Sequence, residues 1–223
     1  MRILITGSHG FVAGHLVREL ADAGHELIQH DVEYTEGSYY CDLRDKEAIR
    51  KLVRATRPDA CVHLAGIAFV PMGWKDPELV YSVNLMGTVN LLEAFRHEAH
   101  EARVLLVSSS LIYQHAGDGA LMDENSYMYP PDIYAISKIA ADLTGLGYAK
   151  RYGMDIMTAR PINHIGPGQS HNFVVASFAH QLKEIAAGRA EPKMRVGNLE
   201  SRRDFVDVRD VVRAYRLLIE NGQ

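Results

Sequence analysis

Residues 2–16 read RILITGSHGFVAGHL. Ile3, Leu4 and Ile5 are a short apolar run rich in β-branched side chains, the pattern of a strand buried on both faces of a parallel sheet. Thr6 and Gly7 end that strand and Gly10 follows. Phe11, Val12, Leu16, Val17 and Leu20 then recur at helical spacing. The chain therefore turns from strand straight into helix. Glycine in such a turn opens backbone conformations closed to other residues and lets a ligand approach the main chain. Free N–H groups at the helix start, with the helix dipole, favour an anion there. The stretch reads as a pyrophosphate cradle; the competing reading is a structural turn of an α/β protein that binds nothing.

The chain has 223 residues, 47% hydrophobic and 23% charged, the composition of an ordinary globular protein with room for one large core. A net charge of -4 argues against a general binder of nucleic acid or anionic membranes. No apolar run is long enough to span a bilayer, and the N-terminus enters the first strand directly, with no signal-peptide pattern. Cys41 and Cys61 lack metal spacing and both fall in expected strands. They read as buried free thiols in a reducing compartment, the cytoplasm. Among eleven histidines there is no HxH or HExxH. His97 and His100 could share a helix face, but a solvated helix end explains them better than a metal, so no metal site is expected.

Glu26–Asp31 (ELIQHD) is the expected second strand, after a helix stop at Gly24. An acid at its end, Asp31, accepts hydrogen bonds from adenosine ribose hydroxyls in a dinucleotide fold. It would repel a 2′-phosphate, and no arginine follows it closely, so NAD(H) is favoured with NADP(H) possible. The alternative is a solvated loop aspartate. Residues 39–42 read as a short third strand leading to Asp42-Leu43, and Asp45 as the cap of a helix over 46–55. The fourth strand, 60–64, runs into Ala65-Gly66, small residues that let a cofactor lie on the backbone. Residues 69–77 read as a loop, 78–97 as a helix with apolar residues on more than one face, and 103–107 as the fifth strand, followed by Ser108-Ser109-Ser110. A long helix opens at Tyr134-Ala-Ile-Ser-Lys138 and runs to Arg151. The sixth strand, 155–159, precedes a rigid loop, RPINHIGPG (160–168), at a strand end where ligands of open α/β sheets bind. Helices over 173–187 and 211–221 complete the pattern. Arg202-Arg203, before a strand-like run, could clamp a diphosphate or be a solvated pair.

Residues four apart share a helix face, so the Tyr134 phenol and the Lys138 ammonium can meet one ligand. A tyrosine with a pKa near 10 is a poor acid–base group at neutral pH. A lysine cation beside it, with an oxidised nicotinamide, is expected to lower that value. YxxxK after a serine run that ends a strand, in a chain opening with this glycine turn, is a specific composite.

These residues carry a family resemblance over the whole chain. Gly7-x-x-Gly10-x-x-Ala13 resembles the TGxxGxxG loop of the extended short-chain dehydrogenase/reductases, with alanine for the third glycine. Together with Asp31, Ser109, Tyr134 and Lys138 it is similar to members that act on nucleotide sugars. RPINHIGPGQSHNFV and VGNLESRRDFVDVRDVVRAY resemble, within that family, the GDP-4-dehydro-6-deoxy-mannose reductases, with the GDP-mannose 4,6-dehydratases as relatives.

The resemblance implies a doubly wound parallel, Rossmann-type sheet. Residues 1–161 would bind NAD(P). Residues 162–223 would begin a small discontinuous nucleotide-sugar region, with 204–223 returning to the sheet. It implies cofactor contacts at Gly7, His9, Gly10, Phe11, Val12, Asp31, Asp42, Leu43, Leu64, Ala65, Gly66, Tyr134 and Lys138, with His63 in the same HLAG stretch. Ser109, Tyr134 and Lys138 would be catalytic, although Ser108 and Ser110 flank Ser109. Asn84 would support the backbone of the active site. Ser109, Asn163 and Arg203 would meet the substrate. The implied reaction is hydride transfer to C4 of a 4-keto-6-deoxy nucleotide sugar, with a 4-epimerase as the alternative. A dehydratase ranks lower, because its carboxylate pair would have to stand at Ser110 and Leu111; a non-catalytic NAD-binding protein is the remaining class. The resemblance further implies a homodimer pairing the helices over 78–97 and 134–151. Relatives continue past the last helix, so part of the substrate region is expected beyond Gln223.

Overall fold

A computed structural model describes residues 1–113 and 121–222. Strand β1 (Arg2–Thr6) passes through the glycine turn into α1 (Phe11–Asp22), then β2 (Glu26–Asp31) and a two-residue β3 (Tyr39–Tyr40). α2 (Lys46–Thr56) and β4 (Ala60–His63) follow, then α3 (Pro71–Lys75), α4 (Pro77–Tyr81), a π turn (Ser82–Met86) and α5 (Gly87–Glu98). β5 (Arg103–Val107) leads through a 3-10 turn (Ser110–Ile112) towards α6 (Ile133–Tyr152) and β6 (Ile156–Ala159). The last elements are β7 (Asn163–Ile165), α7 (Val174–Ala186), β8 (Phe205–Asp207) and α8 (Val208–Asn221).

Six strands form one parallel sheet in the order β3-β2-β1-β4-β5-β6, the doubly wound order with a switch point between β1 and β4. Leu4 lies opposite Ile28 on one side and Cys61 on the other. Successive side chains of a strand face opposite ways. Leu4, Ile28, Cys61, Val104 and Leu106 therefore pack against Ile49 and Val53 of α2 and Leu91, Leu92 and Phe95 of α5. Ile3, Ile5, Val62 and Leu105 pack against Leu16 and Leu20 of α1 and Val212, Tyr215 and Ile219 of α8. α8 returns to lie beside α1, where Arg216 Nε donates to Glu19 at 2.7 Å. β7 and β8 pair parallel in a separate two-stranded sheet, Asn163 opposite Phe205.

Five local expectations change. The loop over 69–77 holds α3, and its two prolines each stand at the first turn of a helix, where their missing N–H costs nothing. The expected continuous helix over 78–97 is broken by the π turn. The widened turn frees Asn84 to bond outside its helix while the Thr88 hydroxyl takes its carbonyl at 2.7 Å. β3 stops at Tyr40, so Cys41 lies beyond the strand and is half-buried, whereas Cys61 is a buried strand residue as expected. The loop over 160–168 contains β7, and His100 lies past the end of α5, off the face that carries His97.

Candidate functional site

A cavity of about 510 Å³ opens at the carboxyl ends of the central strands, at the switch point. Gly7, His9 and Gly10 wall it on one side, Asp31, Asp42 and Leu43 on another, and Leu64, Ala65 and Gly66 on a third. Gly7 has φ +73°, and a Cβ there would lie 2.8 Å from the Ala65 backbone, so only glycine lets the ends of β1 and β4 come this close. The Asp31 carboxylate accepts the His9 N–H at 2.9 Å and the Val32 N–H at 2.7 Å. His9 Nδ1 stands 3.8 Å from Asp31 Oδ2.

Arg44 lines the same cavity and forks onto Asp42, Nε at 2.9 Å and Nη2 at 2.5 Å from Oδ2. That guanidinium holds Asp42 below the usual carboxylate range. No arginine closely follows Asp31 in sequence; the one that reaches the cavity stands after Asp42-Leu43.

Phe11 and Val12 are in the first turn of α1, off the cavity wall. The Phe11 ring stacks on His164 at 6.3 Å and Val12 packs on the core. The cap of α1, Gly10, offers no side chain, so the first-turn N–H groups lack the usual side-chain acceptor. His63 is not a cavity residue either. It is buried behind the wall, its Nδ1 2.7 Å from Thr6 Oγ1 and its Nε2 3.0 Å from Thr88 Oγ1. The Thr88 hydroxyl donates to the Asn84 carbonyl, so it accepts from His63 Nε2–H, and Nδ1 is left to accept from Thr6. Thr6 in turn accepts the Ala65 N–H at 3.3 Å. Burial pushes this imidazole down to about 3, so it is neutral and its tautomer is set.

Ser109 stands at the turn after β5 and Tyr134 in the first turn of α6, which Asp132 caps by accepting the Ala135 N–H at 2.8 Å. Ser109 lies near enough to act on the Tyr134 phenol, favouring its ionised form, while its own Oγ accepts the Leu111 N–H at 3.2 Å. Of the three serines, Ser109 is the one that meets Tyr134: Ser108 Oγ donates to the Lys138 carbonyl at 3.4 Å, and Ser110 begins the 3-10 turn. Burial raises the Tyr134 phenol and Ser109 partly offsets it, so the net direction is upward, opposite to the expected lowering by lysine. Burial pushes Lys138 down to about 8, with the Asp142 carboxylate opposing.

Ser109, Tyr134 and Lys138 do not line the cavity; Lys138 lies behind Gly66 of its wall. A Cβ on Gly66 would sit 4.0 Å from Lys138 Nζ and 3.0 Å from Asn84 Oδ1. Asn84 accepts the Ile67 N–H at 2.7 Å, and its Nδ2 donates to the Ile67 carbonyl at 3.1 Å and to Ser137 Oγ at 2.9 Å. The cavity wall and the Tyr134 helix are thereby fastened to the same π turn. Asn163 and Arg203 come to one end of the small sheet, where Asn163 Nδ2 donates to the Asp204 carbonyl at 3.3 Å. Neither is on the cavity wall. Among the described residues no cluster of His, Cys, Asp and Glu is arranged to hold a metal, and no helix is long and apolar enough to cross a membrane.

Residues 3–223 match the family model of the NAD dependent epimerase/dehydratase family. The chain is 36% identical over 223 residues to GDP-6-deoxy-D-mannose reductase of Pseudomonas aeruginosa, covering 100% of this chain and 71% of that protein. Among solved structures it is similar to RMD from Pseudomonas aeruginosa complexed with NADPH, with TM-score 0.90 and 36% identity over 100% of this chain and 73% of that one. It is also similar to the UDP-glucose 4-epimerase of Thermus thermophilus in complex with NAD, with TM-score 0.87 and 30% identity over 98% of this chain and 74% of that one. The Rossmann-type sheet, the glycine turn and these matches agree, and the chain belongs to the NAD dependent epimerase/dehydratase family of extended short-chain dehydrogenase/reductases.

Proposed function

We propose that this chain reduces the 4-keto group of a GDP-4-keto-6-deoxy-mannose-like nucleotide sugar at the expense of NAD(P)H. The observation that carries the reading is that Tyr134 and Lys138 stand one turn apart on one face of α6, with Lys138 Nζ behind Gly66 of the cavity wall and Ser109 acting on the Tyr134 phenol. Similarity to a GDP-6-deoxy-D-mannose reductase supports the choice of sugar.

The cavity fits a nicotinamide dinucleotide. Gly7 lets the ends of β1 and β4 close up at the cavity wall, the uncapped first turn of α1, Phe11 and Val12 included, offers N–H donors to a pyrophosphate, and Asp31 and Asp42 offer acceptors to an adenosine. Leu43, Leu64, Ala65 and Gly66 form the wall on which it would lie. When bound, the reduced nicotinamide supplies the hydride. Tyr134, which burial keeps protonated, donates its proton to the alkoxide developing on the sugar. Ser109 donates a hydrogen bond to the same oxygen. Lys138 holds the cofactor ribose and is a cation below about pH 8. Asn163 and Arg203 hold the nucleotide sugar from the β7–β8 side. Residues 1–161 form the cofactor-binding domain and residues from 162 begin the substrate region, with 204–223 returning to the sheet.

Asp31 beside the ribose position favours NADH over NADPH. The free thiols of Cys41 and Cys61 suit a reducing, cytoplasmic setting, and the protein acts as a homodimer. Ser110 and Leu111 occupy the positions where a dehydratase would carry its carboxylates, and neither can serve as acid or base there. The second reading, a 4-epimerase, draws on the similarity to UDP-glucose 4-epimerase.

Incubation with GDP-4-keto-6-deoxy-mannose and NADH is expected to bleach the nicotinamide absorbance stoichiometrically with reduced sugar. Purification with tightly held NAD⁺, and interconversion of 4-epimers without added NADH, would replace the reductase by the epimerase.

A further inference from the structure

Arg160, the first residue after β6, bonds three separated parts of the chain. Its Nε donates to Asp142 Oδ2 at 2.7 Å and its Nη2 to Asp142 Oδ1 at 3.2 Å, both on α6. Its Nη1 donates to the Tyr113 hydroxyl at 2.6 Å and to the Glu124 carbonyl at 3.2 Å. The guanidinium also lies 5.5 Å from the centroid of the Tyr113 ring. The Asp142 side chain is fully buried and that of Arg160 is 12% exposed. A buried ion pair of this kind adds little net stability, because desolvation offsets its attraction, and its use lies in what it holds in register.

The register at stake is that of Ser109 and Tyr134. Ser109 sits on the turn after β5, and Tyr113 closes that turn. Tyr134, Lys138 and Asp142 succeed one another at helical repeats on one face of α6. Arg160 bonds the end of the first element and the third group of the second. The groups that face Lys138 are Tyr134 and Asp142 from its own helix, the neutral His63 from β4, and Asn84 beyond Gly66. Asp142 is the carboxylate whose charge opposes the effect of burial on Lys138, and Arg160 neutralises that carboxylate from the other side.

We infer that Arg160, acting with Asp142, is a positioning residue: it locks the Ser109 turn to the Tyr134–Lys138 helix and sets the charge that Lys138 faces. The inference rests on the roles proposed above for Ser109, Tyr134 and Lys138. Asp142→Asn removes the anion and leaves the Arg160 cation, so Lys138 titrates at lower pH. Arg160→Gln leaves the Asp142 anion unneutralised, so Lys138 titrates at higher pH. The double variant carries no unpaired buried charge and folds even where a single one does not. Its Lys138 titrates between those of the single variants, but its two reactive elements lose the Arg160 tie and keep only the Ser108 bond to the Lys138 carbonyl at 3.4 Å.

The titration is read by NMR of carbon-labelled lysine, with the Lys138 signal assigned by its loss in Lys138→Arg, and needs no substrate. Opposite movements in the two single variants are expected. Both moving the same way, or neither moving, overturns the charge role. In the double variant, reduction of GDP-4-keto-6-deoxy-mannose is expected to lose about tenfold or more in kcat, with KM for NADH held within about twofold. A kcat within about twofold of the wild type overturns the positioning role. If the wild-type protein does not oxidise NADH with this sugar, the proposed reaction fails, and the opposite movements of Lys138 still decide the charge role.

Discussion

Burial raises the Tyr134 phenol above its ordinary value, so it is protonated but a weaker acid than a free tyrosine. Replacing it with phenylalanine removes the acid and keeps the ring. Tyr134→Phe is therefore expected to lower kcat by about 100-fold or more while NADH affinity barely changes, as measured by steady-state turnover and fluorescence titration. His63 does different work. Folding takes its imidazole from an ordinary value of 6.5 down to about 3, so the native state refuses a proton that the unfolded chain accepts. The stabilisation is complete above pH 6.5 and is lost as pH falls from there towards 3. Its slope is at most about 1.4 kcal/mol per pH unit. Urea unfolding of the wild type and of His63→Gln, at pH values either side of 6.5, should show a steeper acid loss in the wild type by up to that amount.

At the scale of elements, the reactive groups depend on how helices begin. α6 starts at Asp132, whose carboxylate accepts the Ala135 N–H, and Tyr134 stands inside that capped turn. Losing the cap frees orphan N–H groups of the first turn. Asp132→Ala should lower stability by about 1 kcal/mol in urea unfolding, and Asp132→Asn by markedly less. The interruption between α4 and α5 follows the same logic from the other side. Within the π turn, the Asn84 side-chain amide bonds Ile67 and Ser137, joining the cavity wall to α6.

At the scale of the molecule, α6 is apolar on faces the sheet does not cover. Ile136, Leu143 and Leu146 are 39%, 51% and 43% exposed, while Ala135, Ala141 and Gly145 of the same helix are buried. An apolar helix surface of this kind calls for a second covering layer. A two-fold dimer that pairs α5 and α6 of each copy would supply it. Light scattering at micromolar concentration should give a dimer mass, and Leu143→Lys with Leu146→Lys should shift it to the monomer; a wild-type monomer contradicts the pairing.

Much of the fold was legible in local pattern. β5 runs over the residues its apolar run marked, Arg103–Val107, because buried parallel strands are written as hydrophobic stretches between breakers, and β2 runs over Glu26–Asp31, the stretch expected after the Gly24 helix stop. The glycine turn, the Asp45 cap and the YxxxK face were equally local, since each depends on residues within a helical turn of one another. What tertiary structure alone decided were the partnerships between distant residues. It put His63 behind the cavity and Arg44 within it, and turned Phe11 towards His164. It raised Tyr134 where the nearby lysine suggested lowering, because burial depends on every element packed around the phenol and spacing along one helix does not record it.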